Sequence, residues 1–347
     1  MSANGSLGQG AQCPVCGESK HRSVADVIDD RYGCPDLFQL VRCEGCGHLM
    51  TAPRLAEGQL GQLYSTYYPR KEVSTPSLVE EADAVQRAGA KWRRWLEGTD
   101  NQGQYLAKPN DTVLDIGAGS CLSLLEAQNL GAKAYGIEAD PSVRRIADEL
   151  GLNVHIGSLH DDPFPGIKFD LIVLNQVIEH IPEPHLALDV LKSRLKPNGR
   201  IVLAFPNQNS LSRRLFGTRW IHWHIPFHLH HFDLAHFRRL ADRLEFDVIG
   251  HRTVTPNIWT ILQILTLRHK PRRGVPSPLW ISRSVREGAI GDGTTGAKVL
   301  SGTGRGAGLK KIVRTALTWS IAFWNRAIDL AGQGDSILIE LRTRGRT

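Results

Sequence analysis

Seven residues, Val113-Leu114-Asp115-Ile116-Gly117-Ala118-Gly119, constrain this chain more than any others. The first four read as a short buried strand, and the Gly-Ala-Gly step after it makes the tight turn that opens a helix over Ser120 to Leu130. A second strand, Ala134 to Ile137, ends on the acid Glu138. Together these form half of a βαβ unit, and an acid at that spacing from the glycine turn, at the tip of the second strand, suits the two hydroxyls of a ribose.

A dinucleotide site shares the glycine turn and the acid, but the details here differ. The turn runs Gly-Ala-Gly-Ser-Cys, and Cys121 fits poorly the small third position that lets a helix pack close and take a pyrophosphate. Asp115, just before the turn, would repel a pyrophosphate and attract a cationic amino acid. The long stretch from Met1 to Asp111 precedes the strand, whereas dinucleotide domains usually open with it.

The pattern continues as a helix from Pro141 to Leu150, a strand VHIG ending at Gly157, FDLIVLNQVIEHIPEP from Phe169, LKPNGRIVLAFPN to Asn207, FDLAHFRRLADRLEFDVIGHRT to Thr253, and DSILIELR from Asp335 to Arg342. In order and spacing this series resembles the class I S-adenosylmethionine-dependent methyltransferases. The resemblance implies an α/β fold: a doubly wound seven-stranded sheet, mostly parallel, with the last strand antiparallel. It also implies S-adenosylmethionine as cofactor. By position, Asp115, Gly117, Ala118 and Gly119 would face its methionyl part, Glu138 and Ala139 the ribose, Ser158 and Leu159 the adenine, and Asn175 the methionyl end.

Ahead of this domain stand two C-x2-C knuckles, CPVCG at Cys13 to Gly17 and CEGCG at Cys43 to Gly47. Four thiolates at this spacing, each pair followed by Gly, read as a zinc ribbon with ligands Cys13, Cys16, Cys43 and Cys46. A closed four-thiolate site builds fold and does no chemistry, so its loss is expected to leave the cofactor site largely competent. Disulfides are the alternative, but Met1 to Gly10 is polar and reads as no secretion signal; with Cys34 and Cys121 left over, a reducing, cytoplasmic compartment is expected.

The expected division is a ribbon over 1–55, a linker and capping helix over 56–107, the cofactor domain over 108–253 plus 335–347, and a helical insertion over 254–334. The linker holds Tyr64, Tyr67 and Tyr68 and a helical stretch from Ser77 to Leu96; the tyrosines suit either a cleft lining or a packed joint between domains. Charge is uneven. Residues 1–199 carry 19 Lys and Arg against 26 Asp and Glu, and residues 200–347 carry 23 against 9, so an acidic partner is expected at the C-terminal half. Within the insertion, IWTILQILTL at Ile258 to Leu267 and Lys310 to Ala331 read as helices, joined by a linker whose GTGRGAG run lacks the strand and Lys-Ser/Thr ending of a phosphate loop. In the second helix Ala316, Trp319, Ser320, Phe323, Ala327 and Leu330 share a face flanked by Arg314 and Arg326. Three roles stay open for that stripe: packing on the core, pairing with the 258–267 helix as a substrate lid, or resting on an anionic membrane surface at the inner face of the membrane. No apolar run reaches the length needed to span a bilayer.

Two segments hold the candidate chemistry. Asn175 to Pro184 resembles the E-x-x-E-H segment of ubiquinone-type O-methyltransferases, with Gln176 in place of the first acid and Glu179 and His180 matching. An amide is a weaker ligand for a hard cation, so metal use is not expected there. His180 is the candidate general base, with orientation of the loop as the plainer role for Glu179 and His180. Trp220 to Asp233 holds five of the 14 His and resembles a P-x-H-L-x-x-F element bordering the acceptor pocket; His228 is read as structural or substrate-orienting, His231 or His224 as second bases. The resemblance points to O-methylation of a sugar, glycan, lipid-linked or secondary-metabolite hydroxyl. Alternatives are an RNA methyltransferase, which the basic half suggests but no recognisable RNA module supports, and a partner subunit that binds cofactor without turnover.

Overall fold

The computed structural model describes residues 12–69, 73–280 and 307–345. The polar stretch from Met1 to Gly10 and the glycine-rich run at 302–306 lie outside the described residues. In chain order the strands are β1 (His21–Ile28), β2 (Leu37–Cys43), β3 (Leu49–Ala52), β4 (Thr112–Ile116), β5 (Lys133–Glu138), β6 (Asn153–Ile156), β7 (Phe169–Asn175), β8 (Leu195–Pro206), β9 (His230–His231), β10 (Phe246–Val254) and β11 (Ser336–Thr343). The helices are α1 (Glu57–Tyr67), α2 (Thr75–Asp83), α3 (Ala90–Glu97), α4 (Leu122–Asn129), α5 (Val143–Glu149), α6 (Pro184–Ser193), α7 (Leu211–Phe216), α8 (Leu234–Arg243), α9 (Asn257–Thr266) and α10 (Ala307–Leu330). The single helix expected over Ser77 to Leu96 is broken at Arg87–Gly89, where Gly89 sits in the left-handed region with φ 75°.

The large sheet has the order β10-β11-β8-β7-β4-β5-β6, with β11 antiparallel to both neighbours and the other pairs parallel. Alternation along the strands divides the core between two faces. Leu114, Ile172, Leu174, Ile201, Leu203, Ile337 and Ile339 pack on one side with α6 and α8, while Val113, Leu171, Val173, Val202 and Leu338 pack on the other with α2, α4 and α5. Because the chain runs outward from β4 in both directions, the carboxyl ends of β4 and β5 border the crevice where such sheets bind ligands.

The cysteine module does not stand apart from this sheet. Its strands form a second sheet, β1-β2-β3-β9, whose fourth strand comes from the histidine-rich loop: Leu49 pairs with His231 and Met50 with His230. Thr51 N donates to Leu229 O at 2.9 Å, extending that ladder by one residue. Cys13, Val15, Val41, Cys43 and Met50 share a buried cluster with Leu114, Phe169, Phe232, Phe237 and Leu240. The module therefore shares a core and a sheet with residues 229–232.

The stripe on α10 faces the other way from one that packs on the core. Trp319, Phe323 and Leu330 are 45%, 62% and 83% exposed, and Ala322, Asn325 and Arg326 are the buried residues of that stretch. Asn325 bonds Asn257 and Thr260 of α9 at 3.0 Å each. Arg326 pairs with Asp329 at 2.7 Å and donates to the carbonyl oxygens of Trp95 on α3 and of Thr255. The inner seam of this helix is thus polar, and Arg326 is a buried anchor where the sequence suggested a flanking surface charge. Arg326→Ala would leave Asp329 and two carbonyls without their cation, so urea unfolding should show a loss of about 3–5 kcal/mol; a loss below about 1 kcal/mol would mean that the pair behaves as a surface ion pair.

Candidate functional site

At the end of β4 the Asp115 carboxyl is buried, 4% exposed. One oxygen accepts from the Ser123 hydroxyl on α4, and Oδ1 is buried with no hydrogen-bond partner among the described residues. Burial raises its pKa to about 7, the Ser123 bond opposes the rise, and the charge of Glu138 adds to it. A buried acid held in this state is set up to receive a cation. The turn that follows leaves no room for a side chain at its first glycine: Gly117 has φ 74°, and a Cβ there would lie 2.6 Å from Val177 Cγ2. Ala118 is buried, and Gly119 N donates to Glu138 Oε2 at 2.8 Å. Glu138 Oε1 accepts from Asp140 N at 2.9 Å, so the carboxylate is fixed at the tip of β5 with lone pairs to spare, beside exposed Ala139.

Two other expected residues are held from neighbouring segments. Asn175, ending β7, accepts from Gly103 N and donates to Gln104 Oε1, both at 2.8 Å, and Gln104 reaches Glu126 of α4 at 2.7 Å. Ser158 Oγ caps the short turn after β6, accepting from His160 N at 3.2 Å. Leu159 packs on the α6 side of the sheet, where it lines a cavity of about 260 Å³ with Leu114, Ile137, Phe164 and Val190.

Beyond the end of β7 a buried cluster joins Glu179, His180 and His228, one ligand-type atom of each lying within 4.8 Å of the others. His180 Nδ1 lies 2.9 Å from Phe227 O, which only accepts, so Nδ1 carries the proton and Nε2 the lone pair. The Tyr64 hydroxyl shares that N–H at 2.8 Å. Burial lowers the His180 pKa to about 4, so the ring is neutral at ordinary pH. His228 Nδ1 donates to His222 O at 2.9 Å, and its Nε2 lies 3.3 Å from His224 Nδ1 and 3.9 Å from Glu179 Oε1. Neither Glu179 oxygen has a hydrogen-bond partner among the described residues, and burial raises its pKa to about 8. Tyr32, Tyr64, Tyr68, Phe227 and His224 pack over this cluster, some pairs edge to face and others tilted, with centroids 5.1–5.9 Å apart. The tyrosines of the linker therefore belong to a joint that also roofs the cluster.

His231 is not part of this group. Two residues beyond Leu229 it enters β9, where its Nε2 meets Thr51 Oγ1 at 3.1 Å and its ring stands edge-on to Trp223. Tyr32, Gly103 and Gln104 carry no motif; only the three-dimensional packing reveals them.

The four cysteines meet in the module. Cys13 and Cys46 sulfurs lie 3.7 Å apart, Cys16 and Cys43 3.5 Å, and all four fall within 4.8 Å. Sulfurs each about 2.3 Å from a tetrahedral zinc lie about 3.8 Å apart, close to these edges. Gly17 N and Gly47 N turn back to the Cys13 and Cys43 carbonyls at 2.8 and 2.9 Å, each glycine in the left-handed region.

A family described as a methyltransferase domain matches residues 85–251. A ubiquinone biosynthesis O-methyltransferase of Paraburkholderia phytofirmans is 27% identical over 155 residues, 40% of this chain and 67% of that protein. The namesake from Cereibacter sphaeroides is 30% identical over 122 residues, so the chain spans about half of that relative's length, 49%, and 33% of its own. The solved structure of an S-adenosylmethionine-dependent methyltransferase from Mesorhizobium loti aligns at 12% identity with a TM-score of 0.40, covering 67% of this chain and 91% of that one.

Glu179 gives a signed pH dependence. Its folded value, about 8, lies above its ordinary 4.5, so the folded chain keeps a proton that the unfolded chain has released. That contribution is fully present below the ordinary value and is lost as pH rises through the folded one. Glu179→Gln removes the titration, so the variant's unfolding free energy relative to the parent should rise by on the order of a few kcal/mol between about pH 5 and about pH 8. Equal slopes for the two proteins would show that the acid is ionised in the fold.

Proposed function

The chain belongs to the class I S-adenosylmethionine-dependent methyltransferases, and on that premise we propose that it methylates a hydroxyl of a sugar, glycan, lipid-linked or secondary-metabolite acceptor, with His180 as the base. The observation that carries this reading is the contact of His180 Nδ1 with Phe227 O and the Tyr64 hydroxyl; with the proton on Nδ1, as the carbonyl favours, the Nε2 lone pair is left for a substrate proton.

When bound, the cofactor supplies a methyl group on an electrophilic sulfonium. Asp115 would accept from the cationic amino group of its methionyl end, the glycine turn would let the chain pass close, and Glu138 would accept from the ribose hydroxyls. Asn175, held by Gly103 and Gln104, approaches the methionyl end. On the acceptor side His180 Nε2 takes the hydroxyl proton as the oxygen is methylated, and His228 and Glu179 fix the loop around it. The aromatic roof excludes water, so alignment and proton removal supply the rate. Cys13, Cys16, Cys43 and Cys46 would hold a structural zinc, whose positive charge permits four sulfurs this close to be thiolates. No step passes through it.

Calorimetry and turnover test the two halves separately. Asp115, protonated in part below about pH 7, should ionise as the cation arrives, so binding should release protons and tighten as pH rises from about 5 to about 7. Asp115→Asn should abolish that release and weaken binding by roughly ten- to a hundredfold. His180→Ala should lower kcat by about a hundredfold or more at nearly unchanged cofactor affinity. Binding without proton release, or full turnover by His180→Ala on an identified acceptor, would remove the corresponding role.

A further inference from the structure

Among the described residues, the outward side of α10 leaves large apolar side chains uncovered. Trp319, Phe323 and Trp324 are 45%, 62% and 58% exposed, while the polar side chains of Asn325 and Arg326 are buried. This inverts the ordinary amphipathic arrangement, in which the apolar face turns inward. The hydrogen bonds that fasten the helix run antiparallel to α9: Thr255 bonds Asp329, and Asn257 and Thr260 bond Asn325. That order sets the end of α9, with exposed Ile264 and Leu267, alongside the part of α10 before Asn325, where Leu317, Trp319 and Phe323 are exposed too. Large exposed patches of this kind mark contact with something else.

Charge identifies the occupant. The α9 end runs directly into Arg268, Lys270, Arg272 and Arg273, all exposed. Of these, Arg273 is turned to Pro35 O of the module, and in sequence the first turns of α10 add Lys310, Lys311 and Arg314. Across 254–334 there are twelve Lys and Arg against three Asp and Glu. A second copy laid on this face would bring two strongly positive segments together, which like-charge repulsion opposes. An anionic bilayer matches both features: aromatic side chains seat at the boundary between acyl chains and headgroups, and cations beside them pair with the headgroups. No helix among the described residues is long and apolar enough to cross a membrane, so contact would be confined to the surface. We propose that the outer face of α10, with the end of α9, docks on an anionic lipid bilayer. This requires neither cofactor nor acceptor, so it stands or falls apart from the methyl-transfer reading.

Co-sedimentation of the full, metal-loaded chain with vesicles tests it. The parent should bind phosphatidylcholine vesicles containing about a quarter phosphatidylglycerol at low salt, bind pure phosphatidylcholine about tenfold or more weakly, and be released as salt rises. A Phe323→Ser, Trp324→Ser double variant, altered only at exposed positions, should bind anionic vesicles about tenfold or more weakly while retaining the parent's unfolding midpoint. Arg268→Glu with Lys270→Glu gives the same reading through charge alone, should the aromatic variant fail to fold. A parent that ignores anionic vesicles at low salt overturns the proposal, as do folded variants that bind like the parent. A parent dimer that dissociates in the aromatic variant, seen by sedimentation velocity, would instead assign the face to a second copy.

Discussion

A run of backbone hydrogen bonds joins the cysteine module to the turn that follows β7. Thr51 N donates to Leu229 O, and Leu229 N donates to Glu179 O at 2.8 Å, so one residue couples β3 to the turn that carries Glu179 and His180. The β3–β9 pairs extend this contact, and Thr51 Oγ1 adds a bond to His228 O at 2.6 Å. Short ladders are weak alone, but here they lie over a dry core that includes Cys13, Cys43 and Phe232. The consequence is that the position of His228, and through it the Glu179–His180 cluster, depends on a module that does no chemistry itself.

Burial dominates the electrostatics on both sides of the cleft. It pushes Asp115 to about 7 and Glu179 to about 8, and pulls His180 down to about 4. At one place a buried acid stands near neutrality, and at the other a second such acid lies beside a neutral imidazole. The first environment suits a cation, and the second keeps the His180 ring neutral. The aromatic roof helps by removing water, and it is built from three separate stretches: Tyr32 from the module, Tyr64 and Tyr68 from α1 and its end, and His224 and Phe227 from the histidine-rich loop.

Much of this was legible in the chain. The alternating strands, the glycine turn, the acid closing the next strand and the paired cysteines each have a local physical signature, and the sheet built from them follows the sequence closely. What escaped depends on direction and distance. Periodicity shows that Trp319, Phe323 and Leu330 share a face of α10, but not whether that face points in or out; the buried Arg326 and Asn325 settle that only in three dimensions. Among the clustered histidines, adjacent positions diverge because His228 lies in the loop while His230 and His231 enter β9, and so short a strand has no pattern to announce it. Glu179 and His228 are far apart in the chain, and nothing local predicts that they meet.

The account rests on the cysteine module holding the histidine-rich loop, and hydrogen exchange on the metal-loaded and chelated protein tests this directly. It predicts that chelation exposes the amides of 224–231 and of Glu179–His180 together with those of β2 and β3, while β4, β7 and β8 keep their protection. A loop that remains protected while the module exchanges freely would contradict it.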